Sequence, residues 1–229
     1  MSGIVFICTS VDGFISRENG DIDWLDEANK LIPKGEDLGW KKFQARHQVM
    51  IMGRKTFEKV REMELSAWPY QKPIVVLTRN AKFLEAEQKK KPLPSKPSQR
   101  VSQLLPGESL TQLMTRLQTE YGKDAGVYVD GGETIRAFLE KGLIREMIVT
   151  VAPVLLGNGL PLFGGLSGGD RKLQLMENKS WPCGFIQNTF RVLDTTETLV
   201  PKPTTKETTI KTKTKKATTT KKAIKKKTS

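Results

Sequence analysis

Five short apolar runs recur along the chain: residues 4–8 (IVFIC), 49–52 (VMIM), 74–77 (IVVL), 126–130 (GVYVD) and 146–151 (EMIVTV). None alternates polar with apolar, so each reads as a strand buried on both faces. Helical spacing separates them, over 38–46, 55–64, 108–121 and 133–141. The clearest case is Leu110, Leu113, Met114, Leu117 and Tyr121. Strand–helix alternation predicts an α/β fold, three layers deep (αβα), around a mixed, mostly parallel sheet. Two late alternating segments, 173–179 and 185–193, predict a C-terminal antiparallel hairpin. In such a sheet ligands gather beyond the carboxyl ends of the strands. The residues that follow the apolar runs are therefore the ones to read.

Charge defines the boundaries. The formal net charge is +13, and residues 201–229 hold 11 Lys against one Glu. That leaves +3 for the remainder, so the chain divides into a domain over 1–198 and a Lys/Thr-rich tail over 199–229. The tail has too little apolar content to fold and is expected to be disordered. Its lysine clusters suit a nuclear address or weak polyanion contact. Residues 88–106 carry four prolines and are expected to form an exposed insertion loop. No apolar run approaches the ~20 residues of a membrane helix, and the N-terminus lacks a secretory pattern. Cys8 and Cys183 stand alone, which suits a reducing, cytoplasmic setting. With one histidine and no CxxC, no metal site is expected, and a hydrolytic triad would have to use His47.

Several strand ends carry suggestive chemistry. Gly53, Arg54, Lys55 and Thr56 join a strand to a helix, as a phosphate cradle does; two solvated cations at a strand end are the alternative. Gly131, Gly132, Glu133 and Thr134 repeat the arrangement and suit a diphosphate, or simply a tight turn. Leu77, Thr78 and Arg79 end a third strand with a hydroxyl and a guanidinium, which fit a phosphate monoester; taken alone, the motif is better read as a surface arginine at a strand end. Asp37 precedes a short helix and is either a cap or a proton-carrying carboxylate. Asp12, in the first turn, has the same two readings, and Trp24 is core or pocket wall.

The order of these motifs resembles the dihydrofolate reductase superfamily from Val5 to about Leu193. Residues 37–43 (DLGWKKF) resemble its catalytic-acid helix, 49–58 its MGRxTxE cofactor motif, 75–79 its 2′-phosphate strand and 127–134 its glycine-pair motif. The opening 10–25 and the segment 151–163 (VAPVLLGNGLPLF) are more similar to the reductase domain of the bacterial riboflavin-biosynthesis deaminase-reductase. The zinc-deaminase motif is absent.

The resemblance implies NADPH held by Gly53, Arg54, Lys55 and Thr56, by Leu77, Thr78 and Arg79, and by Gly131, Gly132, Glu133 and Thr134. It implies a substrate pocket with Thr9, Ser10, Trp24, Pro153 and Gly157, and Asp37, then Asp12, as proton-handling residues. The implied reaction is reduction of 5-amino-6-(5-phosphoribosylamino)uracil or a related heterocycle, and the implied assembly is a homodimer. Dihydrofolate reduction is one alternative. A degenerate reductase that binds polyanions through its tail is another.

Overall fold

The computed structural model describes residues 2–63, 68–167, 169–194 and 197. The chain divides into two units, Met1–Leu199 and Val200–Ser229. The second lies outside the described residues, and with it the expectation of a disordered tail.

The apolar runs become the strands β1 (Ser2–Thr9), β3 (Val49–Gly53), β4 (Ile74–Leu77), β6 (Gly126–Asp130) and β7 (Ile144–Val151). Between them come the short β2 (Phe14–Ser16) and β5 (Val101–Gln103). A two-residue β8 (Leu160–Pro161) pairs with β2 away from the main sheet. The hairpin is β9 (Leu173–Ser180) with β10 (Ile186–Val192). The eight-stranded sheet runs β5-β4-β3-β6-β1-β7-β10-β9. Pairs from β5 to β7 are parallel, and β10 runs antiparallel to both its neighbours. This is the mixed, mostly parallel sheet that the strand–helix alternation predicts.

The helices are α1 (Asp23–Asn29), α2 (Trp40–Gln44), α3 (Arg54–Glu62), α4 (Phe83–Lys90), α5 (Leu110–Tyr121) and α6 (Gly132–Glu140). None is long and apolar enough to cross a membrane. Each sheet face has its own core. Leu113, Met114 and Leu117 of α5 join Ile135, Phe138 and Leu139 of α6 over Val5, Ile51 and Val129. On the opposite face Phe43, Phe57 and Phe83, one each from α2, α3 and α4, cover Met50, Met52, Ile74 and Tyr128. Removing a buried phenylalanine of this kind costs about 3–5 kcal/mol, so both layers are essential to the fold.

Two expectations need correction. The segment 88–106 is not a loop throughout. It starts in α4, passes a 3-10 turn at Pro97–Gln99 and enters the sheet as β5, the edge strand beside β4. Its prolines stand outside the ladder, so the edge pairs without losing donors: Ile74 N–H donates to Arg100 O, and Leu104 N–H to Val76 O. Arg61 secures this segment, donating to the backbone carbonyls of Glu87, Lys91 and Pro92. Secondly, His47 is no triad member. It is 2% exposed, packed between Phe43 and Tyr128, and burial lowers its pKa to about 4.

Candidate active site

β3 and β6 are adjacent and parallel, with Met52 opposite Asp130, so their carboxyl ends open side by side. Gly53 caps α3 and Gly131 caps α6, and neither cap contributes a side-chain hydrogen bond. Two helix N-termini with free backbone N–H groups thus point from one edge, a ready anion site. The turns also interlock. A Cβ at Gly131 would lie 2.4 Å from the Thr56 Oγ1, and one at Gly53 would lie 3.0 Å from the Thr134 Oγ1. Each threonine, three residues beyond its own glycine, fills the space that the other glycine leaves. Gly131 also has φ +88°, which a side chain would strain. Lys55 and Glu133 close the pair from outside at 3.5 Å, while Arg54 turns aside to Glu58. The two motifs of the sequence are therefore one interlocked pair of turns, with two helix N-termini side by side.

Leu77, Thr78 and Arg79 stand apart from it. Thr78 and Arg79 line an open cleft of about 370 Å³ with Ala81 and the segment 104–109. Thr78 accepts from the Asn80 N–H. Arg79 is exposed and makes no ion pair among the described residues, whereas Glu108 across the cleft is occupied by a two-pronged bond to Arg116. Residues 104–106, which the sequence placed in the insertion loop, are thus part of a wall of this cleft because β5 carries them there.

The remaining residues gather beyond β1 and β7. Thr9 and Ser10 are buried. The Ser10 hydroxyl donates to Asp12 Oδ1 at 2.6 Å, and Asp12 accepts Leu156 N–H and Gly157 N–H, the latter at 2.7 Å. Val11 N–H donates to Val154 O, so Pro153 and Gly157 lie on a loop tied to the first turn at both ends. The Ser10 hydroxyl, then the Gly157 and Leu156 amides, hold the Asp12 carboxyl below its ordinary value. Asp12 is a clamp that stays ionised, poorly suited to giving up a proton. Trp24 is 3% exposed and packs with Leu38, Ala152 and Phe185; its indole N–H finds no acceptor among the described residues.

Asp37 is a cap as well. Its Oδ1 accepts Gly39 N–H at 2.9 Å and its Oδ2 accepts Lys41 N–H at 3.0 Å, starting α2. The carboxylate is half-buried and keeps lone pairs for a ligand.

The sequence reading passed over one residue as part of a motif. Asp130 ends β6, directly before the glycine pair. Its Oδ1 accepts Gly131 N–H at 2.8 Å. Burial pushes its pKa up to about 6, against the lowering effect of the Gly131 and Tyr128 hydrogen bonds. Its signal was present: a carboxylate at the carboxyl end of an otherwise apolar central strand. Cys8, by contrast, is chemically quiet, its thiol pushed up to about 12 by burial.

A parallel sheet flanked by helices, with a glycine–threonine cradle at its carboxyl edge, defines a dihydrofolate-reductase-like α/β domain. Residues 2–186 match the RibD C-terminal domain model, and the chain belongs to that family. The uncharacterized protein YwjB of Bacillus subtilis is 33% identical over 181 residues, covering 78% of this chain and 91% of that one. A provisionally named riboflavin-biosynthesis protein of Shewanella sp. PV-4 superposes with a TM-score of 0.70 at 31% identity, over 85% of this chain and 100% of that one. Acinetobacter baumannii RibD shares the fold, with a TM-score of 0.60 at 18% identity over 84% and 58% of the two chains.

Proposed function

We propose that this protein is an NADPH-dependent reductase of the riboflavin-biosynthesis type, acting on a carbonyl or imine of a small heterocyclic or glycosylamine substrate. The interlocked cradle carries the reading. Gly53, Thr56, Gly131 and Thr134 lock the two turns together, and the N-termini of α3 and α6, side by side, favour the charge of a diphosphate. Arg79, which lines the open cleft and makes no ion pair among the described residues, is the candidate for a 2′-phosphate. The nicotinamide, when bound, supplies a hydride.

The protein's own task is then to hold the substrate and to deliver a proton to the heteroatom that gains charge. Asp130 is a third candidate donor beside Asp37 and Asp12. Burial raises its pKa to about 6, so it carries a proton in mildly acidic solution, whereas Asp12 is held ionised. Asp37 keeps lone pairs to bind N–H groups of a substrate ring.

A screen decides the matter. The protein is incubated with NADPH and either 5-amino-6-(5-phosphoribosylamino)uracil or dihydrofolate, and absorbance at the reduced-nicotinamide band is followed. Turnover of the first supports the proposal, and turnover of dihydrofolate alone would replace it. Saturating NADPH should also raise Tm by linkage. Arg79→Ala should weaken NADPH about tenfold or more while sparing NADH, because a charge-assisted phosphate contact contributes about 1.5–3 kcal/mol. Equal loss for both cofactors would remove Arg79 from the 2′-phosphate role.

A further inference from the structure

Leu38, between Asp37 and Gly39 at the entrance to α2, is the one non-glycine residue with a positive φ among the described residues, at +50°. A bulky side chain rarely takes that conformation, so its surroundings must hold it there. The side chain is buried against Trp24, Ala152 and Phe185. The Leu38 N–H donates to Glu36 Oε1 at 2.7 Å, and the Asp37 N–H to the same oxygen at 2.9 Å. The Leu38 carbonyl is taken by a residue 149 positions away. Gln187 Nε2 donates to Leu38 O at 3.0 Å and to Thr150 Oγ1 at 2.8 Å. Gln187 and Thr150 are both buried and stand opposite each other on β10 and β7. Both Nε2 protons thus have an acceptor, one on β7 and one just ahead of α2.

One peptide unit links this glutamine to Asp37. Leu38 O and Gly39 N–H belong to the same planar, trans group, so they point in opposite directions and turn together. Gln187 grips the oxygen, and Asp37 Oδ1 accepts the N–H at 2.9 Å. Asp37 Oδ2 accepts Lys41 N–H at 3.0 Å. Gly39 has φ +87° and, as a glycine, tolerates either sign, so that residue does not stop the unit from turning over. A turned unit would take the N–H from Asp37 and the oxygen from Gln187 at once. The glutamine sits directly against this turn: a Cβ at Gly39 would lie 3.9 Å from Gln187 Oε1.

We propose that Gln187 is a positioning residue for substrate binding: by holding Leu38 O it fixes the Leu38–Gly39 peptide unit and, through it, the direction in which the Asp37 carboxylate is presented to a substrate. This rests on the reading of Asp37 as the carboxylate that binds N–H groups of the substrate ring. With one amide on each oxygen, the remaining lone pairs of Asp37 keep fixed directions. A ligand then meets an acceptor that need not be ordered on binding, which raises affinity. The same glutamine ties that acceptor to the other substrate residues. Thr150 pairs with Cys8 of β1 as well as with Gln187, and β1 and β7 run on into Ser10 and into the loop with Pro153 and Gly157. Two hydrogen bonds of a single side chain hold Asp37 and the start of that loop in one frame.

The test is amide hydrogen exchange of the full chain by NMR, with kinetics beside it. Gln187→Met keeps the length of the side chain and removes both donors. It should speed exchange at Gly39 about tenfold, since a buried carbonyl loses its hydrogen bond, while Ile74 and Leu113 in the core keep their rates. An unmoved Gly39 amide overturns the proposal. Should Gln187→Met fail to fold, Gly39→Ala leaves the glutamine in place and disfavours the positive φ. It should speed exchange of the Gln187 side-chain amide, and no change there again overturns the proposal. In assays with NADPH and 5-amino-6-(5-phosphoribosylamino)uracil, Gln187→Met should raise KM for the uracil about tenfold and keep the NADPH-induced rise in Tm. A lost rise would mark a general structural role and overturn the assignment. In an Asp37→Ala background Gln187→Met should change KM no further, because both residues act through one peptide unit; additive losses overturn the positioning role. A protein that shows the exchange effects but turns over neither substrate keeps the hold of Gln187 on Asp37 and loses the reductase reading. One that turns over substrate with a fixed Gly39 amide does the reverse.

Discussion

At the scale of single residues, the site is built from groups held against their own preference. An ionised Asp130 in a poorly solvated position costs stability: its carboxyl sits at about 6 against an ordinary 3.8, worth up to about 3 kcal/mol above pH 6. Asp130→Asn should therefore raise stability at pH 8 by about 1–3 kcal/mol in urea unfolding while lowering turnover. A stability loss at that pH would show that the carboxylate serves the fold and not the chemistry. Gly131→Ala is the opposite case. The added methyl meets the Thr56 hydroxyl and the backbone has φ +88°. It should cost about 1–3 kcal/mol and abolish the NADPH-induced rise in Tm; a retained rise would mean that the cradle does not hold the diphosphate.

At the scale of elements, the chain's least legible part was the stretch after β4. Its prolines and lysines argued for a loop, yet β5 spans only three residues and needs few ladder donors. Short edge strands owe their existence to the neighbour they pair with, not to their own propensity. Hydrogen exchange can distinguish the two readings. The amides of Ile74 and Leu104, which donate to Arg100 O and Val76 O, should exchange slowly in the native protein. Fast exchange at Leu104 would return the segment to a loop and remove the wall of the Arg79 cleft. The longer elements were readable because each carries its own signal. α5 announces itself by apolar spacing and by a capping box between Ser109 and Gln112, and β3 and β6 by unbroken apolar runs.

At the scale of the whole molecule, two buried groups titrate in opposition. His47 has a folded pKa of about 4 against an ordinary 6.5, so its contribution is present above pH 6.5 and lost as pH falls toward 4. Asp130 has a raised pKa, so its contribution is present below pH 3.8 and lost as pH rises through 6. Between about pH 4 and 6 the unfolded chain binds one proton more at His47 and one fewer at Asp130, and the slopes cancel. The wild type should then show only the shallow rise with pH contributed by the carboxylates of lowered pKa, Asp12, Asp21, Asp23, Glu36, Glu108 and Glu140. In Asp130→Asn the same window should show a steeper rise with pH, by up to about 3 kcal/mol more, as the His47 effect is no longer opposed. Urea midpoints across that range measure it. A profile no steeper in the variant than in the wild type would show that His47 does not titrate as its burial dictates.

The sequence alone determined the layer order, the mostly parallel sheet, the hairpin and the strand ends where chemistry gathers. Hydrophobic periodicity and glycine-bearing turns are local properties, written in neighbouring residues. Tertiary structure decided which of those ends act together. Gly53 and Gly131 lie 78 residues apart in the chain, and only the pairing of β3 with β6 shows that each is matched to the other's threonine. It also ranked the carboxylates. Asp12 and Asp130 are alike in sequence, and their proton affinities depart in opposite directions because of the hydroxyl and amides the fold brings to one and the burial it imposes on the other. Burial and long-range hydrogen bonds are set by the packing of distant segments, and no local pattern encodes them.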